Sequence, residues 1–477
     1  MADARPLALD VDGTFLRTDM LFECFWAGLG KDPLGTLRAS LAHFGRPQAL
    51  KRELADIAGL RTDLLPVNPD LAALAKAAQA DGREVVLASA SDTPLVESLA
   101  RHHGLSPRVF ASSTDLNLKG AAKAEALVEA FGEGGFDYAG DSVADRSVWE
   151  RARTAVIVGS HPAIADALRA RGTTVSEIPG GWHARDLLRA LRPHQWVKNV
   201  LLLVPAIASH HFDVTTLMLV VLGILAFSAA ASAIYVVNDL LDLEADRLHA
   251  TKHRRPFASG AVPIRVGMAA SLGLGLLALG IGAWLGPGFL GIVALYMILS
   301  LAYSLRLKRL RWIDIATLAS LYTLRVIAGA MAVDVYVSGY LLVFIFPAFI
   351  CLGCVKRLIE VTRAEGDARL PGRGYGKPDR GDLLNVACLG AFAAVLIFFL
   401  YSFTGQAQAL YPTQWLLWVA LLPLSVWLTR MIWLGYTGQQ DYDPIVFAMR
   451  DKLGLGLIFL MLSIMFYAAG LWQQWFG

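Results

Sequence analysis

Apolar residues are spread unevenly along this chain. From Trp196 onward, runs almost free of charge fall near 198–212, 217–238, 266–285, 288–305, 313–333, 339–355, 384–404, 414–434 and 453–472. A helix needs roughly 20 residues to cross ~30 Å of hydrocarbon, so the pattern predicts an all-α bundle of nine transmembrane helices. Before residue 192 the pattern changes. Short apolar strands such as Pro6–Leu9 and Val85–Ala88 end in polar clusters, and helical stretches lie between them, punctuated by Gly and Pro. The expected organisation is a soluble α/β domain at 1–178, a linker at 179–192 around Pro179-Gly180-Gly181, and a membrane domain at 193–477.

The polar connections orient the spans. Those after even-numbered runs carry Arg247, Lys252, Arg254, Arg255 and Arg265, then Arg306, Lys308, Arg309 and Arg311, then Lys356 through Arg380, then Arg430, Arg450 and Lys452. The alternate connections, near 213–216, 286–287, 334–338 and 405–413, hold no Lys or Arg. Basic connections stay in the cytoplasm. The protein is therefore expected to be integral to the inner (cytoplasmic) membrane, multi-pass, with the N-terminal domain cytoplasmic and the C-terminus outside. Leu7-Ala8-Leu9 is too short for a signal peptide.

Composition agrees. A chain of 477 residues with 55% hydrophobic residues and a mean hydropathy of +0.49 is not wholly soluble. The net charge of +3 is small, and the partner it leaves to expect is the bilayer, not nucleic acid. The cysteines, Cys24, Cys351, Cys354 and Cys388, suggest no disulfide framework, and Cys351 with Cys354 reads as packing inside an apolar run. The sequence leaves a homo-oligomer open.

Where the second run ends stands Asn238-Asp239-Leu240-Leu241-Asp242-Leu243-Glu244-Ala245-Asp246. Offsets of three and four put Asp239, Asp242 and Asp246 on one helical face. Carboxylates so placed can hold Mg²⁺, and Mg²⁺ can hold a diphosphate. A basic stretch follows, and Lys198 and Lys356 are expected at the same membrane face. Such a mouth suits anionic, phosphate-bearing substrates, with apolar spans nearby for a lipid tail. Arg325, inside the fifth run, is expected to face the bundle interior and a partner.

These residues, with Arg247, Lys252, Arg255-Pro256 and Gly260, resemble the first aspartate-rich motif of the UbiA superfamily of intramembrane prenyltransferases. Tyr303 and Lys308, ahead of Asp314, fit the same resemblance, which covers roughly 185–477. Members that use prenyl diphosphates carry a second aspartate-rich motif after the sixth span. Here that place reads Lys356-Arg357-Leu358-Ile359-Glu360, so a single Mg²⁺ at the first motif is expected, with Lys356 or Arg357 meeting phosphate beside Glu360. Leu191-Arg192-Pro193-His194-Gln195-Trp196-Val197-Lys198-Asn199 resembles a branch that makes polyprenylphosphoryl 5-phosphoribose from polyprenyl phosphate and phosphoribosyl pyrophosphate (PRPP). That resemblance implies Asp239, Asp242 and Asp246, with Asn238, on Mg²⁺ and pyrophosphate. It implies Lys198, Lys252, Arg254 or Arg255 on the lipid phosphate and the sugar 5-phosphate.

In the N-terminal half, a strand ends in Asp10-Val11-Asp12-Gly13-Thr14, two acids two apart before a glycine turn, which suits phosphoryl transfer. Ser89-Ala90-Ser91-Asp92, then Lys119 and Lys123, then Gly140-Asp141-Ser142-Val143-Ala144-Asp145 follow in order. Together they resemble the haloacid dehalogenase (HAD) superfamily over 5–175. The resemblance implies a Rossmann-like sheet with a small helical cap at about 17–80. It makes Asp10 the nucleophile and Asp12 the general acid/base. Ser89 (or Ser91) would bind phosphate and Lys123 (or Lys119) would neutralise it. Asp141, helped by Asp145, would hold Mg²⁺ with Asp10. The two halves combine into a bifunctional enzyme that transfers 5-phosphoribose to a polyprenyl phosphate and then removes the 5-phosphate, feeding cell-envelope synthesis. The competing readings are an aromatic prenyltransferase using an isoprenyl diphosphate, a transporter, and a scaffold around an inert HAD-like domain.

Overall fold

The computed structural model describes residues 5–113, 117–335, 338–364, 366, 369–370, 373–440 and 443–476. The chain forms two compact units: Met1–Leu191 with Tyr235–Ser271, and Arg192–Ile234 with Leu272–Gly477. The acidic segment around Asp239 thus belongs to the same unit as the N-terminal half.

The first unit is built on six strands: β1 (Leu7–Leu9), β2 (Val85–Asp92), β3 (Val109–Ser112), β4 (Asp137–Gly140), β5 (Thr154–Val158) and β6 (Thr174–Ile178). Their order is β3-β2-β1-β4-β5-β6, and every pair is parallel. Alternation sends Leu7, Leu9, Val85 and Leu87 into one core and Ala8, Val86, Ala88 and Tyr138 into another, as a sheet covered on both faces requires. Because β1 lies between β2 and β4, the loops leaving their carboxyl ends are neighbours. The motif residues sit on those loops, which is the doubly wound, HAD-like arrangement expected.

Three helices form the cap after β1: α1 (Met20–Lys31), α2 (Pro33–Ala42) and α3 (Pro47–Ala58). Asp19 caps α1 by accepting from the Leu21 and Phe22 N–H groups, and Asp32 caps α2 ahead of Pro33. The next helix, α4 (Pro69–Ala80), buries Leu71, Ala75 and Ala78 with the strands, so it belongs to the sheet's cover and not to the cap. The expected linker is partly ordered as a helix at Ala184–Leu191, whose Leu187, Ala190 and Leu191 join Trp26 in one apolar cluster.

In the second unit and the stretch joining it to the first, seven helices among the described residues are long and apolar enough to cross a membrane: Val214–Leu241, Ile264–Leu285, Pro287–Leu305, Ile313–Ala332, Gly339–Arg363, Lys377–Tyr401 and Trp415–Tyr436. They match seven of the nine runs. The last run is a shorter helix, Lys452–Ala468, ended by Gly470 at φ +76°. The first differs more. Residues Pro193–Leu203 form a 3₁₀ stretch, and Val204–Ala208 a five-residue helix with Pro205 in its first turn. The 3₁₀ stretch runs directly into the short helix, so this run is helical but is not one long α-helix, and Pro205 stands in the first turn, where a missing N–H is tolerated.

Candidate active sites

In the first unit, Asp10 and Asp12 follow β1 directly. The Lys123 ammonium, on the helix Ala121–Phe131, stands 2.6 Å from Asp10 Oδ1 and 3.4 Å from Asp145 Oδ1. Lys119 is exposed, whereas Lys123 is buried. The Tyr138 hydroxyl donates to Asp145 Oδ1 at 2.7 Å, and Asp145 Oδ2 accepts from the Ser142 N–H and hydroxyl. Asp12 takes the Met20 N–H at 2.8 Å on one oxygen. On the other it takes the Ser91 hydroxyl at 2.6 Å, with Ser89 at 3.4 Å. Ser89 Oγ in turn accepts the Ser91 N–H at 2.9 Å. Gly13 makes the turn possible: its φ is +80°, and a Cβ there would stand 2.4 Å from Asp141 Oδ2.

Ligand oxygens of Asp10, Asp141 and Asp145 lie within 4.8 Å of one another, the one such acidic triad among the described residues. Burial pushes the Asp10 carboxyl up to about 8, with Asp145 adding to the shift and Lys123 opposing it. Burial and Asp145 likewise raise Asp141 to about 6. Crowded, desolvated carboxylates of this kind fit a hard divalent cation, which removes the cost of holding them ionised.

The acidic segment is bent at Asp242, which ends the Val214–Leu241 helix and starts the short Leu243–Leu248 helix. Asp239 and Asp246 are both buried and both meet Arg255 Nη1, at 3.2 and 2.7 Å. The guanidinium stands between two carboxylates, where a metal ion would find oxygen donors. Asn238 Oδ1 is buried with no hydrogen-bond partner, an orphaned oxygen of the same kind. The donor set is all oxygen, as Mg²⁺ prefers. Lys252 and Arg254 lie exposed on the following turn.

The second unit holds two ionic clusters. In one, Lys198 and Lys356 reach the same oxygen of Asp443, at 2.9 and 2.7 Å, and the Tyr322 hydroxyl lies 3.2 Å from each Asp443 oxygen. Burial raises the Asp443 carboxyl, but the two lysines outweigh it and hold it well below the usual range. Arg325 lies beside Lys198 in the chain's packing, bonded to Asn199 at 2.9 Å and to the Tyr296 hydroxyl at 3.0 Å. In the other cluster, Arg357 is fully buried. It meets Asp314 at 2.5 Å, Tyr303 at 2.9 Å and Glu360, with Arg373 3.4 Å from Glu360. Arg357 therefore pairs with both Asp314 and Glu360. Lys308 is half-buried on the turn Leu307–Arg309.

Asp443 escaped sequence reasoning because the connection holding it was read only for its cations. Its signal is local: an acid directly before Pro444 is a helix N-cap, and Asp443 caps Pro444–Ala448. Residues following Lys198 and Asp443, among them Leu201 and Ile445, line an apolar cavity of about 890 Å³ with Phe349, Leu428 and Leu462.

Residues 200–450 match the UbiA prenyltransferase family. An uncharacterised protein, y4nM, of Sinorhizobium fredii is 36% identical over 94% of this chain and 88% of its own length. A decaprenyl-phosphate phosphoribosyltransferase of Mycobacterium tuberculosis is 32% identical over 56% of this chain and 88% of its own. A HAD-family hydrolase of Salmonella enterica superposes with a TM-score of 0.28 and 17% identity, over 37% of this chain and 70% of that one. The family match alone spans more than half of the chain, and the chain belongs to the UbiA prenyltransferase family.

Proposed function

We propose that this membrane protein transfers 5-phosphoribose from PRPP to a polyprenyl phosphate, releasing pyrophosphate, and that its HAD-like domain then removes the 5-phosphate. The observation that carries the transfer reaction is the pair of lysines on Asp443 at the edge of an apolar cavity. Two cations beside a greasy slot suit a lipid monophosphate. The place expected to hold a second acidic motif is closed by Arg357 on Asp314, which disfavours an isoprenyl diphosphate donor. The similarity to decaprenyl-phosphate phosphoribosyltransferases supports the same reading.

A lipid phosphate oxygen would attack the anomeric carbon while the bond to pyrophosphate breaks, with inversion. Asp239, Asp242 and Asp246 would hold Mg²⁺, which would neutralise the departing pyrophosphate. Lys198 and Lys356 would hold the nucleophile, and Lys252, Arg254 or Arg255 the sugar phosphate. In the HAD-like domain Asp10 would attack phosphorus, Asp12, oriented by Ser91, would protonate the leaving ribose oxygen and then activate water, and Ser89 and Lys123 would steady the phosphoryl oxygens. The one-sided Lys and Arg distribution supports a cytoplasmic location for both chemistries.

The test is to incubate the purified protein with Mg²⁺, PRPP and a polyprenyl monophosphate and to weigh the lipid product. Wild type is expected to give polyprenylphosphoryl ribose, and Asp10→Asn to stop at its 5-phosphate. Absence of any sugar lipid sinks the proposal.

A further inference from the structure

Arg247 directly follows the last aspartate of the acidic segment, yet it is bound by the cap. Its Nη1 and Nη2 donate to the two oxygens of Glu23, on α1, at 3.0 and 2.6 Å. The side chains are 7% and 2% exposed. Arg247 Nε donates to the Ala258 carbonyl at 3.0 Å, and the Thr18 hydroxyl donates to Glu23 Oε1 at 2.6 Å. Around this pair, Trp26 and Phe22 of α1 pack with Leu240, Leu243, Phe257 and Val262. Gly260 adopts φ +69° beside Arg17, where a Cβ would stand 2.5 Å from the Arg17 Cβ.

A guanidinium so buried must keep an anionic partner. Without Glu23, the carboxylates offered by its own segment are Asp242, Glu244 and Asp246, and a guanidinium on those would compete with a divalent cation. We propose that Glu23 is a positioning residue for the acidic segment: it holds Arg247 away from Asp242 and Asp246, so that a helix of the phosphatase-like domain sets the affinity of the transferase segment for its divalent cation. The inference rests on the metal role given to that segment above.

The test uses Mn²⁺ as the probe, read by electron paramagnetic resonance on the full chain. Asp10→Asn with Asp141→Asn forms the background, which silences the other triad. Adding Glu23→Gln is expected to weaken the remaining Mn²⁺ site about tenfold, a coupling of ordinary size. Adding Arg247→Gln to that variant is expected to restore the affinity, because the competing cation is gone. A merely structural Glu23 would give no such recovery. Unchanged binding in Glu23→Gln, or a paired variant as weak as the single one, overturns the proposal. If Glu23→Gln does not fold, the paired variant, which buries no lone charge, decides: binding equal to the background supports the proposal and weaker binding overturns it. Failure to make sugar lipid from PRPP would sink the function above while leaving the Mn²⁺ result standing. A background that binds no Mn²⁺ at all would sink the proposal.

Discussion

Lys198 stands 2.9 Å from Asp443, although 245 positions separate them, and it shares the carboxylate oxygen with Lys356. Buried Lys198 and half-buried Lys356 thus share one anion, the arrangement on which the proposed phosphate site rests. Asp443→Asn leaves two like charges facing each other and is expected to lower stability by about 3–5 kcal/mol in detergent. Added polyprenyl phosphate should then raise the Tm of Asp443→Asn more than that of wild type. Because the folded value of Asp443 is depressed, its contribution is present above the unfolded value of ~3.9 and fades only as pH falls below it. Wild-type melts between pH 5 and 8 should show no loss from this group.

Metal-free protein should respond to pH in the opposite sense at Asp10 and Asp141. Their folded values, about 8 and about 6, are raised, so the stability they confer is present at low pH and lost as pH rises through those values. Mg²⁺ needs the ionised forms. The Tm gain on adding Mg²⁺ should therefore grow from pH 5 to pH 8, and Asp10→Asn should flatten that rise.

Ser91 meets Asp12 at 2.6 Å while Ser89 lies at 3.4 Å. On the proposed mechanism, Ser91→Ala is expected to lower phosphatase kcat by roughly tenfold or more, since Asp12, the proposed acid/base, loses its orienting donor. Ser89→Ala should fall mainly on KM for the phosphorylated substrate. Steady-state kinetics with ribose 5-phosphate separates the two, and the reverse pattern would reject this division of roles.

Gly13→Ala should abolish most of the proposed phosphatase activity and destabilise the first unit by about 1–3 kcal/mol, because it combines positive φ with a clash against Asp141. Transfer to the lipid is the control activity, measured in the same preparation.

Arg357→Met takes the nearest cation from Asp314, which is fully buried and keeps the Tyr303 hydroxyl and Arg373 at 3.8 Å, and should cost up to about 3–5 kcal/mol. Arg357→Met with Asp314→Leu removes both charges and should recover much of it. Substrate KM values that shift in the stable paired variant would show a direct role for Arg357 in binding.

Much of this was legible in the chain. Strand ends announce themselves by an apolar run stopping at acids, so the places of Asp10, Asp12 and Asp141 after β1 and β4 are legible in the sequence. Apolar length marks the seven long helices, while 198–212 falls in a 3₁₀ stretch followed by a five-residue helix, a difference in helix type that hydropathy does not encode. The sequence offers Lys356 or Arg357 for phosphate from their place after the sixth span; that Arg357 pairs with Asp314, 43 positions away, is visible only in the fold. Glu23 gave no signal at all. Its role depends on Arg247, 224 positions on, and no local pattern encodes such a pairing.

The cluster of Trp26, Phe22, Leu240, Leu243 and Phe257 has a consequence for how such a gene can be rearranged. Trimming the chain to its family-matched portion would strip α1 away and leave Leu240, Leu243 and Phe257 facing water. Expressing the front portion by itself would do the same to Trp26 and Phe22. The two portions are therefore not interchangeable cassettes. A recombination that swaps one must either bring the matching apolar face with it or polarise the face left behind.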